Sequence, residues 1–177
     1  RVDPPDHWHR VVQQGWAALD SLDAAVQREA ADELIDMFIG REGRVVELCR
    51  EYVTLADLLT VAMREIGTGY IGGKSVGMIV ANAILDHDPE ARFTPRMEQN
   101  DSYFLGSDLF YTYIIANGWW KLWVQQKSHD GYFTAGASLN RKLATGRFPP
   151  VVREQFLSML EYFGQSPIIA RSSSLLE

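Results

Sequence analysis

From Trp8 to Ile66 the apolar positions recur every three or four residues. Leu34, Ile35, Phe38 and Ile39 share one face, charged residues fill the other, and Gly40 follows as a stop. This spacing predicts an all-helical block. Its last helix opens on a capping pair, Thr54 with Asp57 three positions later. It carries Leu55, Leu58, Leu59, Ala62 and Ile66 on one face and is expected to end at Gly67 in the C′ position. A glycine-rich turn, Gly67 to Met78, then leads into a helix whose apolar face is Val76, Ile79, Val80, Ala83 and Ile84, running to His87-Asp88-Pro89.

Residues 88 to 101 are polar with two prolines and read as a connector. Ser102 to Gly106 has the aromatic and apolar content of a short strand. Ser107 is placed to cap a helix bearing Phe110, Tyr113 and Ile114, with Asn117-Gly118 as its stop. Pro149-Pro150 opens a further helix with Val152, Phe156, Met159, Leu160 and Phe163 inward and Gly164 as its end; proline is tolerated in a first turn because the amide it lacks would be unpaired there. Ile168-Ile169-Ala170, bounded by Pro167 and Arg171, is expected to be a buried strand that delivers a charged residue at its end. The fold class expected is α+β and helix-rich: a helical block over residues 1–66 packed on a small sheet that includes strands near Tyr103 and Ile168, with residues 67–177 forming a second part.

Composition narrows the function classes. With 46% apolar residues in 177, the chain can bury an ordinary core. No window approaches the roughly 18 uninterrupted apolar residues a membrane span needs. Seventeen Lys and Arg against 23 Asp and Glu give a net charge of −6, the wrong sign for a broad nucleic-acid-binding surface. The single cysteine, Cys49, forms no internal disulfide, and a cytoplasmic location is expected. Arg1 at the start, and Glu177 after Arg171-Ser-Ser-Ser-Leu-Leu with no turn signal, glycine or polar tail, suggest a truncated chain.

Two segments carry candidate chemistry. In Gly67 to Met78 the glycines let main-chain amides approach an anion, the following helix N-terminus adds positive potential, and Lys74 adds a full charge. A lysine about 4 Å from a phosphate oxygen contributes on the order of 4 kcal/mol at an effective dielectric of 20, against about 0.3–1 kcal/mol from the helix dipole. Gly73-Lys74-Ser75 matches the end of a P-loop, but Thr68 stands where its first glycine belongs, and the pattern places a helix rather than a strand before the glycines. A plain glycine connector with Lys74 in solvent remains open. In the second segment Arg171 presents a rigid donor fork beside Ser172, Ser173 and Ser174, a set that suits a phosphate or, equally, a turn beside a core-edge ion pair.

Together, Gly72-Gly73-Lys74-Ser75-Val76-Gly77-Met78 and Pro167 to Glu177, in that order and about a hundred residues apart, resemble the nucleotide-binding domain of the phosphoenolpyruvate synthase and pyruvate phosphate dikinase family. Asp101 to Tyr113 and Glu161 to Pro167 look like a PEP/pyruvate-binding branch of it, and the similarity covers about residues 42 to 177. The resemblance implies the first lobe of an ATP-grasp domain, with Gly72, Gly73, Lys74, Ser75, Arg171, Ser172 and Ser173 around ATP and with Lys74 and Arg171 reaching its phosphates. It further implies a kinase-type phosphotransferase that uses ATP and Mg²⁺ and passes a phosphoryl group through a phosphohistidine to pyruvate or a similar acceptor. The Mg²⁺ ligands, phosphohistidine and acceptor domains would lie beyond Glu177, so this chain is not expected to turn over alone, and its uncovered cleft wall favours self-association. The competing readings are a non-catalytic nucleotide-sensing or scaffolding module and a purely helical interaction domain.

Other residues suggest less. His7 and His9 form a His-x-His pair without a third ligand nearby, and His87 and His129 fall in connectors. Trp119, Trp120 and Trp123 suit packing better than base stacking.

Overall fold

The computed structural model describes residues 6–98 and 101–172. It divides into two compact units, one formed by residues 1–106 with 169–177 and the other by 107–168. The boundary expected after Ile66 lies inside the first unit.

The first unit begins with four helices, α1 (His7–Leu19), α2 (Ala24–Phe38), α3 (Arg44–Tyr52) and α4 (Leu55–Met63). Asp6 and Asp23 cap α1 and α2 by accepting from the His9 and Ala25 amides. At α4 the reciprocal capping box forms: the Asp57 amide donates to Thr54 Oγ1 at 3.2 Å and the Thr54 amide to Asp57 Oδ2 at 2.9 Å. Leu34, Ile35, Phe38, Leu58 and Leu59 are sealed in the centre of these helices, and Trp8 meets Phe38 edge-on at 4.8 Å. Each such aliphatic side chain contributes about 1.5–3 kcal/mol by leaving water. Arg50 of α3 reaches Asp32 and Asp36 of α2 at 3.3 and 3.0 Å, but these groups are about 40% exposed and their pairing contributes less than about 1 kcal/mol.

One expected boundary is corrected here. The last helix of the block stops at Met63, and Glu65–Ile66 leave it as strand β1. Ile66 is buried as expected, but from a strand, because Phe104–Leu105 (β2) lies alongside to take its hydrogen bonds. The pair is parallel, with Glu65 opposite Phe104 and Ile66 opposite Leu105. Between them run the glycine loop, α5 (Gly73–Asp86) and a connector containing a single 3-10 turn at Thr94–Arg96. The result is a small βαβ unit. Val76, Val80 and Ala83 of α5 are buried in the same core as the helical block, whereas Ile84, expected inward, is 39% exposed.

The second unit comprises α6 (Asp108–Ala116), α7 (Trp120–Gln126), α8 (Gly131–Leu143) and α9 (Pro150–Phe163). Ser107 precedes α6 as expected, but its hydroxyl makes no capping bond to the helix. Tyr113 organises the interior: its hydroxyl donates to the Leu143 carbonyl at 2.7 Å, and its ring meets Trp119 at 5.7 Å and Phe148 at 4.6 Å. Trp123 packs edge-on against Phe110 at 4.8 Å, so the tryptophans serve an aromatic cluster, with Trp120 about half exposed. Gly118 and Gly164 end α6 and α9 at positive φ, 71° and 58°, where a side chain would be strained. Leu160, expected on the inward face of α9, is 48% exposed.

The strand expected at 168–170 does not form. Among the described residues the sheet has two strands only, β1 and β2, and Ile168 and Ile169 are 47% and 83% exposed. An extended segment becomes a strand only where a neighbour takes its amides and carbonyls, and no strand pairs with this one.

Candidate functional site

Parallel strands deliver their carboxyl ends to one edge, and in βαβ units the loop leaving the first strand meets the helix N-terminus there. The loop after Ile66 has this placement. Gly67 and Gly69 turn the chain at φ of 76° and 101°, conformations that favour glycine. Ile71 is buried, and its amide donates to the Phe38 carbonyl at 2.9 Å, anchoring the loop to the end of α2. Gly72 then becomes the N-cap of α5, and its carbonyl accepts from the Ser75 and Val76 amides at 3.0 and 3.1 Å. No side chain caps this end and no acidic residue sits in its first turn, an arrangement compatible with an incoming anion.

This context corrects one objection to a phosphate loop. The sequence pattern puts a helix before the glycines, yet β1 intervenes. A strand, a glycine turn and a helix therefore follow in the order phosphate-binding loops use, although the P-loop consensus itself remains out of register at Thr68.

Lys74 is the second residue of α5 and is exposed. Its ammonium donates to the Ser172 carbonyl at 3.3 Å, joining residues 98 positions apart. Gly72, Gly73, Lys74 and Ser75 are thus brought to the backbone at Ser172, the neighbour of Arg171, and Arg171 itself is exposed. Ser173 lies outside the described residues.

Two residues at this edge were not singled out from the sequence. Gly106 ends β2, its amide donating to the Ile66 carbonyl at 3.0 Å. A Cβ there would overlap the Thr68 carbonyl oxygen and stand 2.5 Å from Glu65 Oε1. The glycine therefore permits β2 and the loop to touch. Glu65 is the second: both oxygens of its carboxylate are closed off from solvent beside that contact. The only local signal was a glycine at the end of a short aromatic strand. Beside them Arg64 pairs with Asp101 at 3.0 Å and lies 5.0 Å from the centre of the Tyr103 ring.

The remaining candidates are not assembled into a site. His9 Nδ1 sits 2.8 Å from Asp6 Oδ1, and His87 Nδ1 sits 2.7 Å from the Ala83 carbonyl. No group of three His, Cys, Asp or Glu side chains suited to a metal is gathered among the described residues. Cys49 is wholly buried, and burial pushes its thiol up to about 11, so it is no nucleophile at neutral pH. Among the described residues no helix is long and apolar enough to cross a membrane.

Compared with protein-family models, curated proteins and solved structures, the chain matches none.

Proposed function

We propose that the loop from Gly67 to Ser75, with Lys74 and Arg171, binds the phosphates of ATP, and that the chain is the first lobe of an ATP-grasp-type domain in a phosphotransferase resembling phosphoenolpyruvate synthase. The observation that supports this most is the approach of the Lys74 ammonium to the Ser172 carbonyl at 3.3 Å, which joins the two motifs the sequence separates by 98 positions. The uncapped first turn of α5 at the carboxyl edge of β1 and β2 agrees with it.

In this reading the first-turn amides and the Lys74 ammonium hold phosphate oxygens. The Arg171 guanidinium adds a bidentate donor, and Ser172 and Ser173 follow it along the chain as further hydroxyl and amide donors. Catalysis of phosphoryl transfer rests on such positioning and charge neutralisation. Mg²⁺ would supply charge neutralisation at the phosphates, and its protein ligands, like the phosphohistidine and the site for pyruvate or a similar acceptor, would belong to other domains.

A thermal-shift titration with ATP and Mg²⁺ tests the reading on the wild type, Lys74→Ala and Arg171→Ala. Ligand at 100 times its Kd stabilises by about 2.7 kcal/mol. The expected result is an ATP-dependent rise in Tm that both substitutions reduce. A rise that survives both substitutions, or no rise at millimolar ATP, overturns it.

A further inference from the structure

We propose that the groove beside the N-terminus of α9 binds a phosphate monoester carrying an aromatic ring, with Arg147 and Arg153 holding the phosphate and Phe148 the ring. This is separate from the loop at Lys74 and lies in the other compact unit.

Arg147, Phe148, Pro150 and Arg153 line a cavity of about 570 Å³, within the roughly 300–1,000 Å³ of small-molecule sites. Pro150 opens α9 and Arg153 follows three residues later on the same helical face, so both line the groove together with Phe148. Both guanidinium groups belong to exposed residues, and among the described residues no ion pair engages either of them. Two guanidinium forks on the lining of one cavity supply the charge and the donors that a phosphate dianion takes.

The groove is also held in shape before any ligand arrives. The Asn117 side chain clamps Arg147 by two bonds, its Nδ2 donating to the Arg147 carbonyl and its Oδ1 accepting from the Arg147 amide, both at 3.0 Å. Gly146 packs so closely on the interior that a Cβ would stand 2.6 Å from Trp119 and 2.7 Å from Tyr113 Cζ. Phe148 is braced by Tyr113 at 4.6 Å and Phe156 at 5.2 Å while 38% of it stays exposed. An open aromatic surface on a fixed backbone receives a second ring with little ordering cost.

Isothermal titration of the full chain carrying Lys74→Ala, which removes the cation of the glycine loop, with phenyl phosphate, and separately with inorganic phosphate, tests the proposal. The expected result is one phenyl phosphate per chain, bound more tightly than inorganic phosphate. Arg147→Gln and Arg153→Gln each raise Kd about tenfold or more, the loss of one charge-assisted contact. Phe148→Leu in the same Lys74→Ala background removes the preference for the aromatic ester. Both arginines are exposed, so their variants keep the wild-type Tm. No binding of phenyl phosphate at millimolar concentration, unchanged affinity in both arginine variants, or equal affinity for the two ligands overturns the assignment.

Discussion

Replacing Gly106 by alanine adds one methyl group where the structure leaves no room for it. The new Cβ would overlap the Thr68 carbonyl oxygen and stand 2.5 Å from both Thr68 C and Glu65 Oε1, where ordinary contacts begin at 3.4 Å. About 1 Å of backbone movement is therefore required. Neither side yields cheaply, because β2 is bonded to β1 through Phe104 N to Arg64 O at 2.9 Å and Gly106 N to Ile66 O at 3.0 Å. Overpacking of this kind costs about 1–3 kcal/mol, and for a unit near a hundred residues each kcal/mol lowers Tm by about 4–8 °C. Gly77→Ala is the matched control: the residue lies within α5, a Cβ there meets nothing within 4 Å, and relief of glycine's entropy cost should stabilise by about 0.5–1 kcal/mol. Urea and thermal unfolding of the two variants give the answer, with opposite signs expected from the same chemical change. Wild-type stability in Gly106→Ala would refute the close approach of β2 and the loop, and with it the placement of Thr68 and Glu65 at that edge.

Two further outcomes follow from the helical block. The Cys49 thiol is neutral when protonated, and its folded pKa is raised from 9.0 to about 11, so its contribution is complete below pH 9 and is lost as pH rises toward 11. The loss is on the order of 2 kcal/mol; urea midpoints compared with Cys49→Ala across pH 8 to 11 should converge, and parallel curves would remove burial as the cause. Thr54→Ala removes the hydroxyl half of the α4 capping box, the bond from the Asp57 amide and the hydroxyl's own bond to Asp57 Oδ2, and should cost about 1 kcal/mol in urea unfolding, an effect that vanishes if the box does not form in solution.

The helices up to α6 and the last, α9, were legible because their signals are local, whereas α7 (Trp120–Gln126) and α8 (Gly131–Leu143) were not read from the sequence. Thr54 and Asp57 meet within one turn, Gly118 and Gly164 stop their helices by backbone conformation alone, and the spacing of Leu34, Ile35 and Phe38 places them on one face whatever packs against it. The glycine turn before α5 was legible for the same reason.

Strands were less legible, since a strand exists only through its partner. Glu65–Ile66 continues the apolar rhythm of α4, and only β2 running alongside, 39 positions on, turns it into sheet. Ile168–Ile169 has the composition of a buried strand and lacks a neighbour, so it stays exposed. The candidate site divides in the same way. The residue types at Lys74 and Arg171, and the glycines that allow close approach, were determined by the sequence itself. Three things were decided by tertiary structure alone: that Ser172 crosses the first turn of α5, that Gly106 touches Thr68, and that Arg147 and Arg153 border one groove. Each is a distance between residues far apart along the chain, or a shape set by packing, and no local propensity encodes either.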